Sequence, residues 1–172
     1  GTITLVIQRV GVSSHKLTSL NVGDFILDIL GPLGQATHIK NYGTVLCAGG
    51  GVCIAPLMPI AKELYKAGNR VITVLAGRTK ELVILEKEMN ACSFETIVMT
   101  DDGSYGKKGI ITDGMDEILK REKIDQAVVI GPAIMMKYAA MRDSLLEDVH
   151  VADRNDRYSG DSLTMQSDVP VD

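Results

Sequence analysis

Residues 44–64, TVLCAGGGVCIAPLMPIAKEL, decide how this chain is read. They open with a short apolar run, Thr44-Val45-Leu46-Cys47-Ala48, long enough for one buried strand. Three glycines follow, Gly49-Gly50-Gly51, and from Ile54 an apolar segment that reads as a helix. A strand that stops at glycines and restarts as a helix leaves backbone N–H groups pointing outward. They lie at the positive end of the helix dipole, so an anion, typically a phosphate, is favoured there. Glycine suits the turn because a Cβ would block the bend or the approach of a ligand. Against a G-x-G-x-x-G fingerprint, Gly49 and Gly51 fit while Ile54 holds the third position. No acid ends the next strand, where an NAD-type ribose ligand is sought; Gly77-Arg78 stands there instead. By itself the stretch fits a phosphate loop and an unliganded turn equally well.

The remaining composition sets the frame. The chain has 172 residues, 45% hydrophobic and 23% charged, which predicts a packed core in one domain or one domain plus a fragment. A net charge of −4 without a basic cluster argues against nucleic acid as a partner. No apolar run approaches the length of a membrane span, and the first residues carry no secretory signal, so a cytoplasmic location is expected. Cys47, Cys53 and Cys92 are too widely and oddly spaced for a disulfide framework or a zinc site, and no metal site is expected.

Along the chain, the alternation of Ile3, Leu5 and Ile7 predicts a strand over 2–10. A helical turn is expected near Leu17–Leu20 and a second strand over 25–30. Residues 35–43 are polar and aperiodic and read as a linker. From Thr44 strands alternate with helices: strands at 44–48, 71–76, 95–100, 126–130 and 149–151. The helices fall at 54–67, at 79–90 with Thr79 as N-cap, from a Thr112 cap to Arg121, and from Gly131-Pro132 to about Leu146. This pattern predicts an α/β fold with a parallel five-stranded sheet covered on both faces, its ligand at the carboxyl ends of the strands. The loops after the first four strands all carry glycine. After about Asp153 the chain becomes a polar tail.

Five segments then carry a resemblance. Gly31-Pro32-Leu33-Gly34, Ala48-Gly49-Gly50-Gly51-Val52-Cys53-Ile54-Ala55-Pro56-Leu57, Gly77-Arg78, Asp101-Asp102-Gly103-Ser104-Tyr105-Gly106 with Lys108-Gly109, and Gly131-Pro132-Ala133-Ile134-Met135-Met136 occur in that order. Together they resemble the ferredoxin–NADP reductase superfamily. Within it they look like the small subunit of NADH-dependent ferredoxin:NADP oxidoreductase (sulfide dehydrogenase-like), the gamma subunit of soluble hydrogenases, and the dihydroorotate dehydrogenase electron-transfer subunit. The resemblance implies a Rossmann-like NAD(P)-binding domain over 44–152, preceded over 1–37 by part of an antiparallel FAD-binding β-barrel and followed by the tail, 153–172. It implies hydride transfer between NAD(P)H and FAD, with electrons passing on to an iron–sulfur or flavin partner subunit. Departures accompany it. The family's flavin motif does not precede Gly31, so the flavin domain is expected to be incomplete and this chain inactive alone. No cysteine follows Cys92, so no iron–sulfur cluster is expected. Cys53 stands where the family turn has glycine. A dihydroorotate-type subunit and a non-catalytic nucleotide-binding module are the alternatives.

The resemblance also assigns roles. Gly49, Gly50 and Gly51, with the N–H groups of Val52 and Cys53 and with Pro56 behind them, would cradle a pyrophosphate. Gly77 and Arg78 would meet the adenosine ribose or a 2′-phosphate, a task for which a guanidinium fork is suited. Asp101, Asp102, Gly103 and Ser104 would reach ribose or adenine, although such residues equally cap their own loop. Gly131, Pro132 and Met135 would lie beneath the nicotinamide, and Pro32, Leu33 and Gly34 would face the flavin pyrophosphate. No catalytic acid, base or nucleophile is expected. His15, His38 and His150 form no constellation, and Glu86 and Glu88 read as solvated carboxylates.

Overall fold

The computed structural model describes residues 3–31, 33–132 and 149–153, the last five by their backbone alone. The chain divides into two compact units, Gly1–Ala36 and Thr37–Asp172.

The first unit carries one helix, α1 (Val12–Thr18), whose start is closed by the Ser14 hydroxyl accepting the N–H groups of Val10 and Gly11 at 3.0 and 2.9 Å. It overlaps the helical turn expected at Leu17–Leu20 only in Leu17 and Thr18 and begins five residues earlier. Neither expected strand forms among the described residues, so the antiparallel barrel fragment has no counterpart here. The alternation at Ile3, Leu5 and Ile7 marks an apolar face, but a strand also needs a paired edge for its N–H and C=O groups. Large apolar side chains accordingly face outward, Ile3 at 74% exposure and Phe25 at 88%.

The second unit runs β1 (Thr44–Gly50), a 3₁₀ turn (Gly51–Cys53), α2 (Ile54–Lys66), β2 (Arg70–Gly77), a second 3₁₀ turn (Lys80–Leu82), α3 (Glu86–Asn90), β3 (Glu95–Thr100), β4 (Lys107–Lys108), α4 (Ile111–Arg121), β5 (Gln126–Gly131) and β6 (Val149–Asp153). The strands form one sheet in the order β4-β3-β2-β1-β5-β6, every pair parallel. β4 is a two-residue extension at the edge, leaving the five expected strands as the body of the sheet.

Two clusters explain why the strands read as unbroken apolar runs. Leu46, Ala48, Ile72, Val74, Val129 and Met99 face α4, where Ile111, Met115 and Ile118 are buried. The alternate residues Val45, Cys47, Val71, Leu75, Val128 and Ile130 face α2, packing on Ile54, Leu57, Ala61 and Leu64. The central strands β1, β2 and β5 bury both their faces, as a parallel sheet under two layers of helix requires. Burial also pushes the Cys47 thiol up to about 12, with Cys92 nearby adding to it, so Cys47 is an inert core residue.

Three local expectations change. The helix expected at 79–90 breaks into the 3₁₀ turn and α3, because Val83, Ile84 and Leu85 all pack on the α2-side cluster. Three consecutive residues on a helix point about 100° apart, so a continuous helix could not bury all three. Thr79 does not cap with its side chain; its hydroxyl donates to the Glu81 carboxylate at 2.6 Å. At α4 the cap is Asp113, whose carboxylate accepts the Ile110 N–H at 2.9 Å, while Thr112 is buried within the first turn. The helix expected from Gly131-Pro132 lies outside the described residues beyond Pro132, as does the tail from 154.

Candidate nucleotide-binding site

β1 lies between β2 and β5, and the chain runs outward from it in both directions, to β3 on one side and β6 on the other. This is the switch point of strand order, where the carboxyl ends of an open α/β sheet leave a crevice for ligands. Register lines up the predicted loops along that edge. Gly49 is level with Ile130, Gly50 with Ala76, and Gly77 with Thr100. The turns at Gly49–Cys53, Gly77–Arg78, Asp101–Ser104 and Gly131–Pro132 therefore form one row at the carboxyl edge.

At the β1 turn the glycines do different work. A Cβ on Gly49 would lie 2.9 Å from Leu57 Cδ2 and 3.4 Å from Ile54 Cα, so Gly49 lets α2 pack closely on the strand. Gly51 takes φ +56, and nothing lies within 4 Å of where its Cβ would be. Its backbone is left-handed and its open side faces free space, as a cradle for a bulky anion requires. No side chain caps the start of the 3₁₀ turn or of α2. Cys53 has φ −71, which any residue adopts, and its side chain is buried in the α2-side cluster. A glycine is thus not needed at this position, and only the backbone of Cys53 is offered to the turn. Val52 is half-buried and Pro56 is exposed in the first turn of α2.

The β2 and β3 loops are joined to each other. The Asp101 and Asp102 N–H groups donate to the carbonyls of Gly77 and Arg78 at 3.1 and 3.3 Å. The Ser104 hydroxyl accepts the Lys80 N–H at 3.0 Å, and Asp102 accepts the Ser104 N–H at 2.9 Å. Hydrogen bonding from Ser104, by its side chain first and its N–H second, holds the Asp102 carboxyl below the usual carboxylate range. Arg78 and Asp101 are exposed, and no carboxylate pairs with Arg78 among the described residues.

Not every candidate is brought here. Pro32 and Met135 lie outside the described residues. Leu33 and Gly34 belong to the first unit, where Leu33 is exposed and Gly34 takes φ +85. Sequence reading missed Lys80, Glu86, Thr100 and Tyr105, which bind the two loops together; Glu86 is an acceptor for Tyr105 rather than a free surface carboxylate. Tyr105 occupies a variable place in the glycine-loop motif, so no pattern singled it out.

The carboxyl edge thus carries an uncapped, open glycine turn, a guanidinium without a carboxylate partner among the described residues, and carboxylate acceptors on the neighbouring loop. The parallel sheet and its row of loops define a ferredoxin reductase-like α/β domain. The chain's relatives agree with that class. It is 46% identical over 142 residues to a dihydroorotate dehydrogenase B (NAD(+)) electron transfer subunit homolog of Thermotoga maritima, covering 83% of this chain and 50% of that protein. It is 40% identical over 133 residues to a probable subunit of the same kind from Methanocaldococcus jannaschii, covering 76% and 50%. A solved NADH-dependent reduced ferredoxin–NADP oxidoreductase structure superposes with a TM-score of 0.78 at 41% identity, over 85% of this chain and 53% of that one. The C-terminal domain of a Pyrococcus furiosus hydrogenase shares the fold, with a TM-score of 0.56 at 22% identity. No protein-family profile matches the chain. The chain is thus similar to proteins named as electron transfer subunits and to a ferredoxin–NADP oxidoreductase, and it spans about half the length of the curated relatives it matches. Among the described residues no helix is long and apolar enough to cross a membrane.

Proposed function

We propose that this chain is the NAD(P)-binding part of a flavin-dependent electron-transfer subunit that passes a hydride between NAD(P)H and FAD and sends electrons on to an iron–sulfur partner. One observation carries the reading: the four glycine-bearing turns stand in one row at the switch point of the sheet. The names of the relatives, which speak of NAD(+), ferredoxin and electron transfer, support it.

When bound, the nicotinamide supplies the hydride and the flavin converts it to single electrons. The chain's own residues bind and orient. Backbone N–H groups at Gly51–Cys53 hold the pyrophosphate, Arg78 meets the adenosine ribose or a 2′-phosphate, and Asp101, Asp102, Gly103 and Ser104 face the adenosine. Gly131, Pro132 and Met135 support the nicotinamide. Direct hydride transfer asks for no protein acid or base. We assign residues 44–152 to this domain and residues 1–37 to the flavin side, where Pro32, Leu33 and Gly34 face FAD. The outward apolar side chains of the first unit support that assignment, since such a surface ordinarily has a cover.

A thermal-shift titration with NADH, NADPH and FAD in parallel tests the proposal. A ligand at a hundred times its dissociation constant adds about 2.7 kcal/mol of stability. A raised midpoint with a nicotinamide nucleotide is the expected result, and the larger rise names the coenzyme. No rise with either nucleotide removes the proposal. The 46% identity to a dihydroorotate-type subunit favours a second reading of the partner. NADH-driven reduction of a dihydroorotate dehydrogenase catalytic subunit, set against reduction of ferredoxin, separates the two.

A further inference from the structure

A network of side chains joins the β2 and β3 loops to each other and to α3. Leu85 is the one non-glycine residue with positive φ among the described residues, at +56. A left-handed turn is costly for a bulky side chain, and such a residue persists only where the surroundings hold it. This one reverses the chain into α3 and sets Glu86 at the helix start, where its carboxylate accepts the Tyr105 hydroxyl at 3.1 Å. The Lys80 ammonium stands over the Tyr105 ring, 5.0 Å from its centre. The Tyr105 backbone is fastened twice to Thr100: its N–H donates to the threonine hydroxyl at 3.1 Å, and its carbonyl accepts that hydroxyl at 2.6 Å. Lys80 is joined to the same loop a second time through Ser104.

We propose that Tyr105 is a positioning residue: through Glu86 and Lys80 it clamps the β3 loop, 101–106, onto the β2 loop, 77–82, and so pre-forms the half of the site that takes the adenosine end of the dinucleotide. The inference rests on the nucleotide-binding reading for its ligand, while the clamp itself rests on these contacts alone. Each partner has a definite share. The hydroxyl ties the β3 loop to α3, the ring ties it to the β2 loop, and the backbone ties it to β3. With its ammonium engaged on the ring, Lys80 serves the loop. Glu86 also pushes the Tyr105 hydroxyl above its ordinary value, first by accepting its hydrogen bond and second by its charge, so the phenol stays a donor across the neutral range.

The test compares the full chain with Tyr105→Phe, Glu86→Ala and Glu86→Gln. Amide hydrogen exchange without ligand reads segments 77–82 and 101–106, and calorimetry reads the dissociation constants for NADH and NADPH. Tyr105→Phe and Glu86→Ala are expected to speed exchange in both segments together and to weaken nucleotide binding about three- to tenfold, the scale of one hydrogen bond. Glu86→Gln, which keeps an acceptor, is expected to restore both readouts. A general loss of packing would not be rescued in this way. Wild-type exchange in both loops of Tyr105→Phe and Glu86→Ala overturns the clamp. Wild-type protein that binds neither nucleotide overturns the proposed function, and the exchange comparison still decides the clamp. If Tyr105→Phe does not fold, the two Glu86 variants carry the comparison.

Discussion

Gly49 and Gly51 stand two residues apart in one turn and answer to different constraints. At Gly49 the limit is packing, since an added Cβ meets Leu57 and the α2 backbone. Gly49→Ala should cost about 1–3 kcal/mol, the usual penalty of overpacking. At Gly51 the limit is backbone conformation, and the space beyond is open. Asparagine enters the left-handed region more readily than other side chains. Gly51→Asn should therefore hold its midpoint better than Gly49→Ala while losing nucleotide binding, because its side chain occupies the cradle. Thermal midpoints and calorimetric titrations of both variants check this. Undiminished binding by Gly51→Asn would mean that the turn is structural only. The motif pointed to both glycines, but their roles depend on φ and on the nearest atom, which letters do not carry. Cys53 shows the converse: its letter departs from the family turn while its backbone and buried side chain do not disturb it.

Among the elements, the central parallel strands β1, β2 and β5 were the most legible, because each buries both faces and so leaves a short, unbroken apolar run. The segment after β2 was the least legible. Its helix-forming residues, Lys80, Glu81 and Leu82, argue for continuation, and only the need to bury Val83, Ile84 and Leu85 together breaks it. At the amino ends of the strands, the start of β2 is tied to the end of α4. Arg70 reaches both carboxylate oxygens of Glu122, at 2.7 and 3.0 Å, and its guanidinium lies 4.0 Å from the centre of the Phe94 ring. The hydrogen bond from Arg70 holds the Glu122 carboxyl below its ordinary range. A depressed carboxylate contributes stability above its unfolded value, about 4.3, and loses that contribution as pH falls through the lower folded value. The stability difference between wild type and Glu122→Gln should be present at neutral pH and close below about pH 4.3. Urea midpoints across that range measure it, and an equal gap in acid would show that the carboxylate's charge is not what Arg70 recognises.

Across the whole molecule, the two units differ in what holds them. The sheet is enclosed by two apolar clusters, whereas no described residue before Thr44 is buried. Apolar burial is the main stabilising term in folding, so the first unit has little of its own to resist opening. Its sequence read as strands because side-chain alternation was visible and the missing strand partners were not. Limited proteolysis followed by intact mass should accordingly show the first cuts within residues 3–43, with fragments beginning near the start of β1 outlasting the full chain. Adding the nicotinamide nucleotide should slow later cuts in the loops 77–82 and 101–106, whose residues meet the ligand in the proposed site, and leave the early cuts at the same rate. Early cuts slowed equally by nucleotide would mean that ligand binding also orders the first unit, and the two units could then no longer be treated as independently stable. First cuts within residues 44–131 would instead place the weak point in the sheet itself, against the two-sided burial that defines it.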